Sequence, residues 1–222
     1  MSADKLLILG SSSSGKSTSL RNLNSKSTVF IQCENKRMPF KNSNKFLTYK
    51  VKNYVELLEA ISDVLAKDKN KNVKTIVLDD YGYLMSDSYM KTALEQGYSK
   101  FTKMALDAYT GFKDIPEVLC ANRDDILIVY VMHPQKNELG MYTPKTIGKL
   151  LDEKICIEGM FEMVLFSIRN EEGEYVFLTQ TTADIPSVAK TPMGMFDTLE
   201  IPNDLNEVIR IRNEYYGIEQ TK

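Results

Sequence analysis

The chain has 222 residues, 43% hydrophobic and 26% charged, which suits one α/β domain with a sizeable core and is not the composition of a disordered protein. No apolar run approaches the roughly 20 residues that span a bilayer, and Cys33, Cys120 and Cys156, odd in number and without CxxC spacing, support neither a disulfide framework nor a zinc site, so a reducing cytoplasm fits best. Lys and Arg number 28 against 30 Asp and Glu, and that net charge of −2 gives no bulk reason to expect nucleic acid.

The opening MSADKLLILGSSSSGKS places polar residues where a cleavage region would stand and does not read as a signal peptide. Five short apolar runs bounded by polar breakers read as strands: Lys5–Leu9, Thr28–Cys33, Lys74–Leu78, Asp125–Met132 and Phe161–Ile168. Their near-continuous apolar character implies burial on both faces, as in a parallel sheet. Helical patterns lie between them at Gly15–Leu23, Tyr54–Ala66 and Ser99–Cys120. Alternating strand and helix implies βαβ units with right-handed crossovers. Beyond Phe161, SIRNEEGEYVFLTQTT reads as a hairpin turning at Glu172-Gly173, and Asp204–Tyr216 as a closing helix. No repeat or domain boundary interrupts the chain, so residues 1–222 are expected to form one domain. Charge is unevenly spread. Lys36, Arg37, Lys41, Lys45, Lys50 and Lys52 fall in a stretch without an acid, whereas the segment from Met195 onward has six acids against three bases.

Gly10-Ser11-Ser12-Ser13-Ser14-Gly15-Lys16-Ser17 matches GxxxxGK[ST], between an apolar strand and a helical start, which is the context the motif requires. Small residues let the backbone wrap a phosphate, and Gly15 can adopt a positive φ. Amides from Ser13 through Ser14 and Gly15 to Thr18 then face an anion at a helix N-terminus. Lys16 is expected to reach the β- and γ-phosphates and the Ser17 hydroxyl to ligate Mg²⁺. Asp79 ends the strand of KTIVLDDYGYL, at the sheet edge where ligands of parallel sheets gather, and suits the metal side opposite Ser17. Asp80 is the less defined partner, because adjacent strand side chains alternate in direction. Glu34 follows Thr28–Cys33 at the same edge and can orient an attacking water, although its position alone equally describes a surface loop acid.

These elements in this order resemble a RecA-like P-loop ATPase, and within that group the small phage-encoded AAA-type ATP-binding proteins related to single-strand annealing recombinases. The motifs that carry the resemblance are GSSSSGKS, VFIQCEN, TIVLDD, ILIVYVMHPQ, GMFEMVLFSI, a hairpin, AKTPMGMF and IPNDL, from about Lys5 to Leu205. The resemblance implies a RecA-like core with a mainly parallel sheet flanked by helices and a C-terminal β-hairpin extension. It makes Glu34 the water-activating carboxylate and His133 the sensor of the γ-phosphate. Segment Pro134–Leu150 corresponds to a mobile DNA-facing loop, in which Lys136, Lys145 and Lys149 with Tyr142 offer cations and an aromatic platform for single-stranded DNA. Lys190 corresponds to the cation that completes a neighbouring subunit's site. The chain departs from the family where Pro192 replaces an Arg often found two residues after that lysine, and where Gln32 replaces an acid.

The function expected from residues and resemblance together is a cytoplasmic ATPase, in the host cell if phage-encoded, with ATP and Mg²⁺ as cofactors. It would self-associate with ATP at the subunit interface, bind single-stranded DNA, and act in phage recombination, annealing or replication beside phage or host proteins of those pathways, without a membrane. Two rivals stand beside it. One is a nucleotide-gated module that binds DNA or a partner with little hydrolysis. The other is a small nucleoside or nucleotide kinase, disfavoured because the six arginines form no lid cluster in the second half of the chain.

Overall fold

The computed structural model describes residues 2–66, 72–147 and 149–218. Strand β1 (Asp4–Leu9) leads into the serine-rich loop, and a 3-10 helix over Thr18–Asn22 precedes β2 (Thr28–Gln32). Next come β3 (Leu47–Lys50), α1 (Tyr54–Ala66), β4 (Thr75–Asp79), α2 (Gly82–Lys91) and α3 (Ser99–Phe112). After β5 (Leu127–Met132) a short hairpin of β6 (Pro134–Lys136) and β7 (Tyr142–Pro144) leads to α4 (Lys149–Asp152). The chain closes with β8 (Met163–Arg169), β9 (Tyr175–Leu178), β10 (Glu200–Pro202) and α5 (Leu205–Tyr216). Among the described residues, no helix is long and apolar enough to cross a membrane.

Eight of these strands form one sheet in the order β10-β9-β8-β1-β5-β4-β2-β3. The six from β8 to β3 are mutually parallel, and β9 and β10 extend the sheet as an antiparallel edge. This is an α/β fold with a mainly parallel central sheet and a hairpin extension. Every residue of β2, β4 and β5 is buried, as strands covered on both faces must be. Strand alternation divides the core. Leu7, Leu9, Ile31, Ile76, Leu78 and Tyr130 pack with Leu57, Ile61 and Val64 of α1 and with Ala108 and Phe112 of α3. Leu6, Ile8, Phe30, Val77, Val129 and Val131 pack on the other face with Leu20 and with Leu205 and Val208 of α5.

Local chemistry sets the helix ends. At the start of α1, Glu56 N donates to Asn53 Oδ1 at 2.9 Å while Asn53 Nδ2 donates to Glu56 Oε1 at 2.8 Å, a reciprocal cap. Asp204, extended at φ −139°, caps α5 by accepting from Asn206 N, and Gly217 at φ 64° closes that helix in the left-handed region. Tyr81 and Tyr130 stand edge to face, their ring centroids 5.1 Å apart, in an aromatic layer with Phe112 and Phe161. Gly111 makes room for it, since a Cβ there would come 1.7 Å from Tyr81 Oη.

All five expected strands form, each with ends shifted by no more than two residues. The expected helix at Gly15–Leu23 is instead the 3-10 helix of Thr18–Asn22. Ser17, Thr18 and Ser19 are weak helix formers whose hydroxyls bond locally, and Ser19 Oγ donates to the Lys16 carbonyl at 2.6 Å. The helix expected over Ser99–Cys120 ends at Phe112 and passes into a wider π-turn at Ile115–Leu119, where Pro116 lacks an amide donor. Part of the segment expected as a loop over Pro134–Leu150 is the β6–β7 hairpin.

Candidate functional site

The carboxyl ends of β1, β5, β4 and β2 lie side by side at one edge of the sheet, where ligands of open parallel sheets bind. The loop Gly10–Ser17 leaves β1 there. Ser13 at φ 62° and Gly15 at φ 97° turn it twice through the left-handed region, a backbone pattern that gathers amides around an anion. Lys16 is buried, and its Nζ donates back across the loop to the Ser11 carbonyl at 2.8 Å. Burial lowers its pKa to about 8, against the opposing pull of Asp80.

Opposite the loop, Ser17 Oγ donates to Asp79 Oδ1 at 3.0 Å. Burial first, and the charge of Asp80 second, raise the Asp79 carboxyl to about 6. Both adjacent acids reach the site, because Asp80, directly after β4, turns at φ 57° in a left-handed conformation that short polar side chains tolerate. Asp80 is buried and is ion-paired with Lys36, while His133 Nε2 stands 3.6 Å from its other oxygen. His133 follows β5, and its ring meets Tyr83 edge to face at 6.1 Å. Burial and the charge of Lys16 lower its pKa. A cleft of about 360 Å³ opens here between Ser11 and Ser12 of the loop, Tyr83 and Ser86 of α2, and His133 and Lys145.

Glu34 lies at the same edge, in the turn after β2. It is exposed, and its Oε1 accepts from the Asn35 amide at 2.9 Å. That turn is anchored from below by the buried Gln32, whose Nε2 donates to the Lys36 carbonyl at 3.1 Å. Lys190 is elsewhere. Its backbone exchanges hydrogen bonds of 2.8 and 2.9 Å with Val164 on the far edge of β8, across β1 from Asp79, Asp80 and His133. The candidate DNA residues occupy the β6–β7 hairpin and its exit. Lys136 and Lys145 are exposed, whereas Tyr142 is half-buried with its ring 5.3 Å from Phe166 and the Lys136 ammonium 4.9 Å from its centroid. The side chain of Lys149 lies outside the described residues.

Sequence reading missed the support that the C-terminal hairpin gives the loop. Ser167 Oγ donates to the Ser14 carbonyl at 2.7 Å and accepts from Asn203 Nδ2 at 3.1 Å, with both side chains buried. Ser167 also closes on Gly10, where a Cβ would come 2.6 Å from the Ser167 carbonyl oxygen. The Tyr175 ring rests on Gly15. No spacing rule links residues more than 150 positions apart. The buried polar side chains in an otherwise apolar context, Ser167 in FSIR and Asn203 in IPND, were the available signal.

These residues fit a phosphate and a divalent cation. The loop combines left-handed turns, a buried lysine, and a buried Ser14 Oγ that has no hydrogen-bond partner among the described residues. Ser17 and Asp79 are hard oxygen donors facing one another, and a magnesium ion held partly by phosphate needs no larger protein cage. No group of three or more His, Cys, Asp or Glu side chains positioned for a metal occurs among the described residues.

Among known proteins, a family model described as an AAA domain matches residues 2–191. No curated protein matches the chain. The crystal structure of a KaiC-like protein from the hyperthermophilic archaeon Pyrococcus horikoshii OT3 is similar at 13% identity, with 82% of this chain and 80% of that one covered and a TM-score of 0.44. With the matched region running from β1 through the segment that pairs Lys190 to β8, the chain belongs to the AAA domain family.

Proposed function

We propose that this chain is a magnesium-dependent ATPase that self-associates, binds single-stranded DNA and serves phage DNA recombination, annealing or replication. The observation that carries the reading is the pairing of the loop hydroxyl of Ser17 with the strand-end carboxylate of Asp79, beside the buried Lys16. When bound, Mg-ATP supplies the electrophilic terminal phosphoryl group and concentrates its charge. Lys16 and the loop amides hold the phosphates, and Ser17 with Asp79 holds the cation. Glu34 orients water and takes up its proton at a carboxylate oxygen, for which its exposed place at the sheet edge leaves access. His133, between Asp80 and the cleft, couples the site to the β6–β7 hairpin, because the Lys145 amide donates to the His133 carbonyl at 2.9 Å. Lys190 of an adjacent copy completes the site from outside, consistent with its place on the far edge of β8.

The DNA assignment rests on the exposed Lys136 at the end of β6, on the exposed Lys145 just after β7, and on the resemblance of the motif order. Tyr142 contributes there mainly by holding the hairpin on Phe166. Equilibrium titration tests the nucleotide site: Lys16→Ala is expected to weaken ATP binding by about two orders of magnitude, as loss of a charge-assisted contact plus a buried anchor implies. Unchanged binding contradicts the assignment. Lys145→Ala with Lys149→Ala is expected to weaken single-strand binding while the melting curve is preserved.

A further inference from the structure

We propose that Lys36 is a second phosphate-binding cation of this site, acting from the same chain on the terminal phosphate, with Asp80 as the counter-ion that positions it. The proposal rests on the nucleotide reading of the loop. Its first ground is the asymmetry of the ion pair: the Lys36 side chain is 43% exposed and that of Asp80 only 2%. Asp80 is fixed by burial, a left-handed backbone and the His133 contact, whereas Lys36 rides on a solvent-facing turn and can exchange one anionic partner for another.

The second ground is where that turn is held. Cys33 N donates to the Asp79 carbonyl at 3.0 Å, and Gln32 Nε2 holds the Lys36 carbonyl, so the backbone of residue 36 is tied to the strand end that carries the metal-side acid. Lys36 thereby stands two residues after Glu34, within reach of the charge of Asp79.

The third ground is charge balance. Lys16 and Lys36 offset Asp79 and Asp80, which leaves the cluster near neutrality before a polyanion arrives. An incoming terminal phosphate competes with Asp80 for the Lys36 ammonium, and the buried Asp80 then keeps the charge of Lys16 as its nearby compensation.

The test is a comparison of ATP with ADP. A residue that touches the terminal phosphate discriminates between them, whereas one that only neutralises a buried acid does not. Lys36→Met is expected to weaken ATP binding roughly tenfold while ADP binding stays within about twofold, and Lys36→Arg to restore the preference for ATP. Equal effects on both nucleotides, or no effect on either, overturn the proposal. If wild type binds neither nucleotide, the nucleotide-site reading falls and the role of Lys36 falls with it. On wild-type protein, ATP but not ADP is expected to shield Lys36 from amine acetylation read by mass spectrometry, a measurement independent of whether Lys36→Met folds. Equal labelling in both states contradicts the proposal.

Discussion

At the scale of single residues, Asp79 carries the sharpest conflict between stability and chemistry. Burial and the charge of Asp80 hold its carboxyl at about 6, above the unfolded value near 3.9. A group whose folded value is raised in this way favours the fold when protonated. Its contribution is fully present below about pH 4 and is lost as pH rises through 6. A rise of that size corresponds to about 3 kcal/mol at neutral pH. Asp79→Asn should therefore stabilise the metal-free, nucleotide-free protein by ~1–3 kcal/mol at pH 7, with the gain fading toward pH 4. Urea denaturation in a chelator at both pH values checks it, and a loss of stability at pH 7 would contradict the ionised, buried state of this side chain. The same substitution should abolish metal-dependent turnover. Gly15 is constrained in another way: its φ of 97° and the Tyr175 ring against it exclude a side chain, so Gly15→Ala distorts the loop at the point where Lys16 is presented.

At the scale of elements, the β8–β9 hairpin acts as the loop's back wall. Ser167 links the Ser14 carbonyl to Asn203, whose own backbone carbonyl accepts from Arg21 Nη1 at 2.6 Å. Ser167→Ala leaves two buried polar groups without this partner and should cost about 1–3 kcal/mol in thermal or urea unfolding, with a matching loss of nucleotide affinity. Wild-type stability in that variant would mean that the hairpin does not support the loop. The elements that sequence reading found and those it missed differ physically. The five core strands are apolar runs buried on both faces, so composition marks them. β3 is a four-residue edge strand of LTYK, mostly exposed, and no apolar run announces it. α2 buries only Leu84 and Met85 of its ten residues, too narrow a stripe to read as a helix. In the site, the loop and the Asp79 strand end were legible because each is a local pattern. The Lys36–Asp80 pair, Ser167 on Ser14 and Tyr175 on Gly15 were not, because each joins segments that only the strand order brings together.

At the scale of the whole molecule, a net charge of −2 conceals a division of charge. Lys16 and Lys36 face Asp79 and Asp80 at the sheet edge, exposed Lys145 lines the cleft and exposed Lys136 ends β6, whereas acids gather in the segment from Met195 onward. Single-strand binding through this hairpin should weaken as salt rises, and Lys145→Ala should reduce the slope of log affinity against log salt by about 0.7, the share of one phosphate contact. An unchanged slope, measured by fluorescence titration across salt concentrations, would remove Lys145 from the interface. Ser11 and Ser12 of the phosphate loop line one cleft with His133, Pro134 and Lys145 at the foot of the hairpin, so occupancy of one is expected to be felt at the other. The proposed activity is tested most directly by magnesium-dependent phosphate release from ATP, measured with and without single-stranded DNA on wild type and on Glu34→Gln. Release by wild type is expected to rise with DNA and to fall at least a hundredfold in Glu34→Gln, the scale of a lost general base, while ATP binding persists. Release that is equal in the two proteins, or absent from wild type with or without DNA, would contradict it.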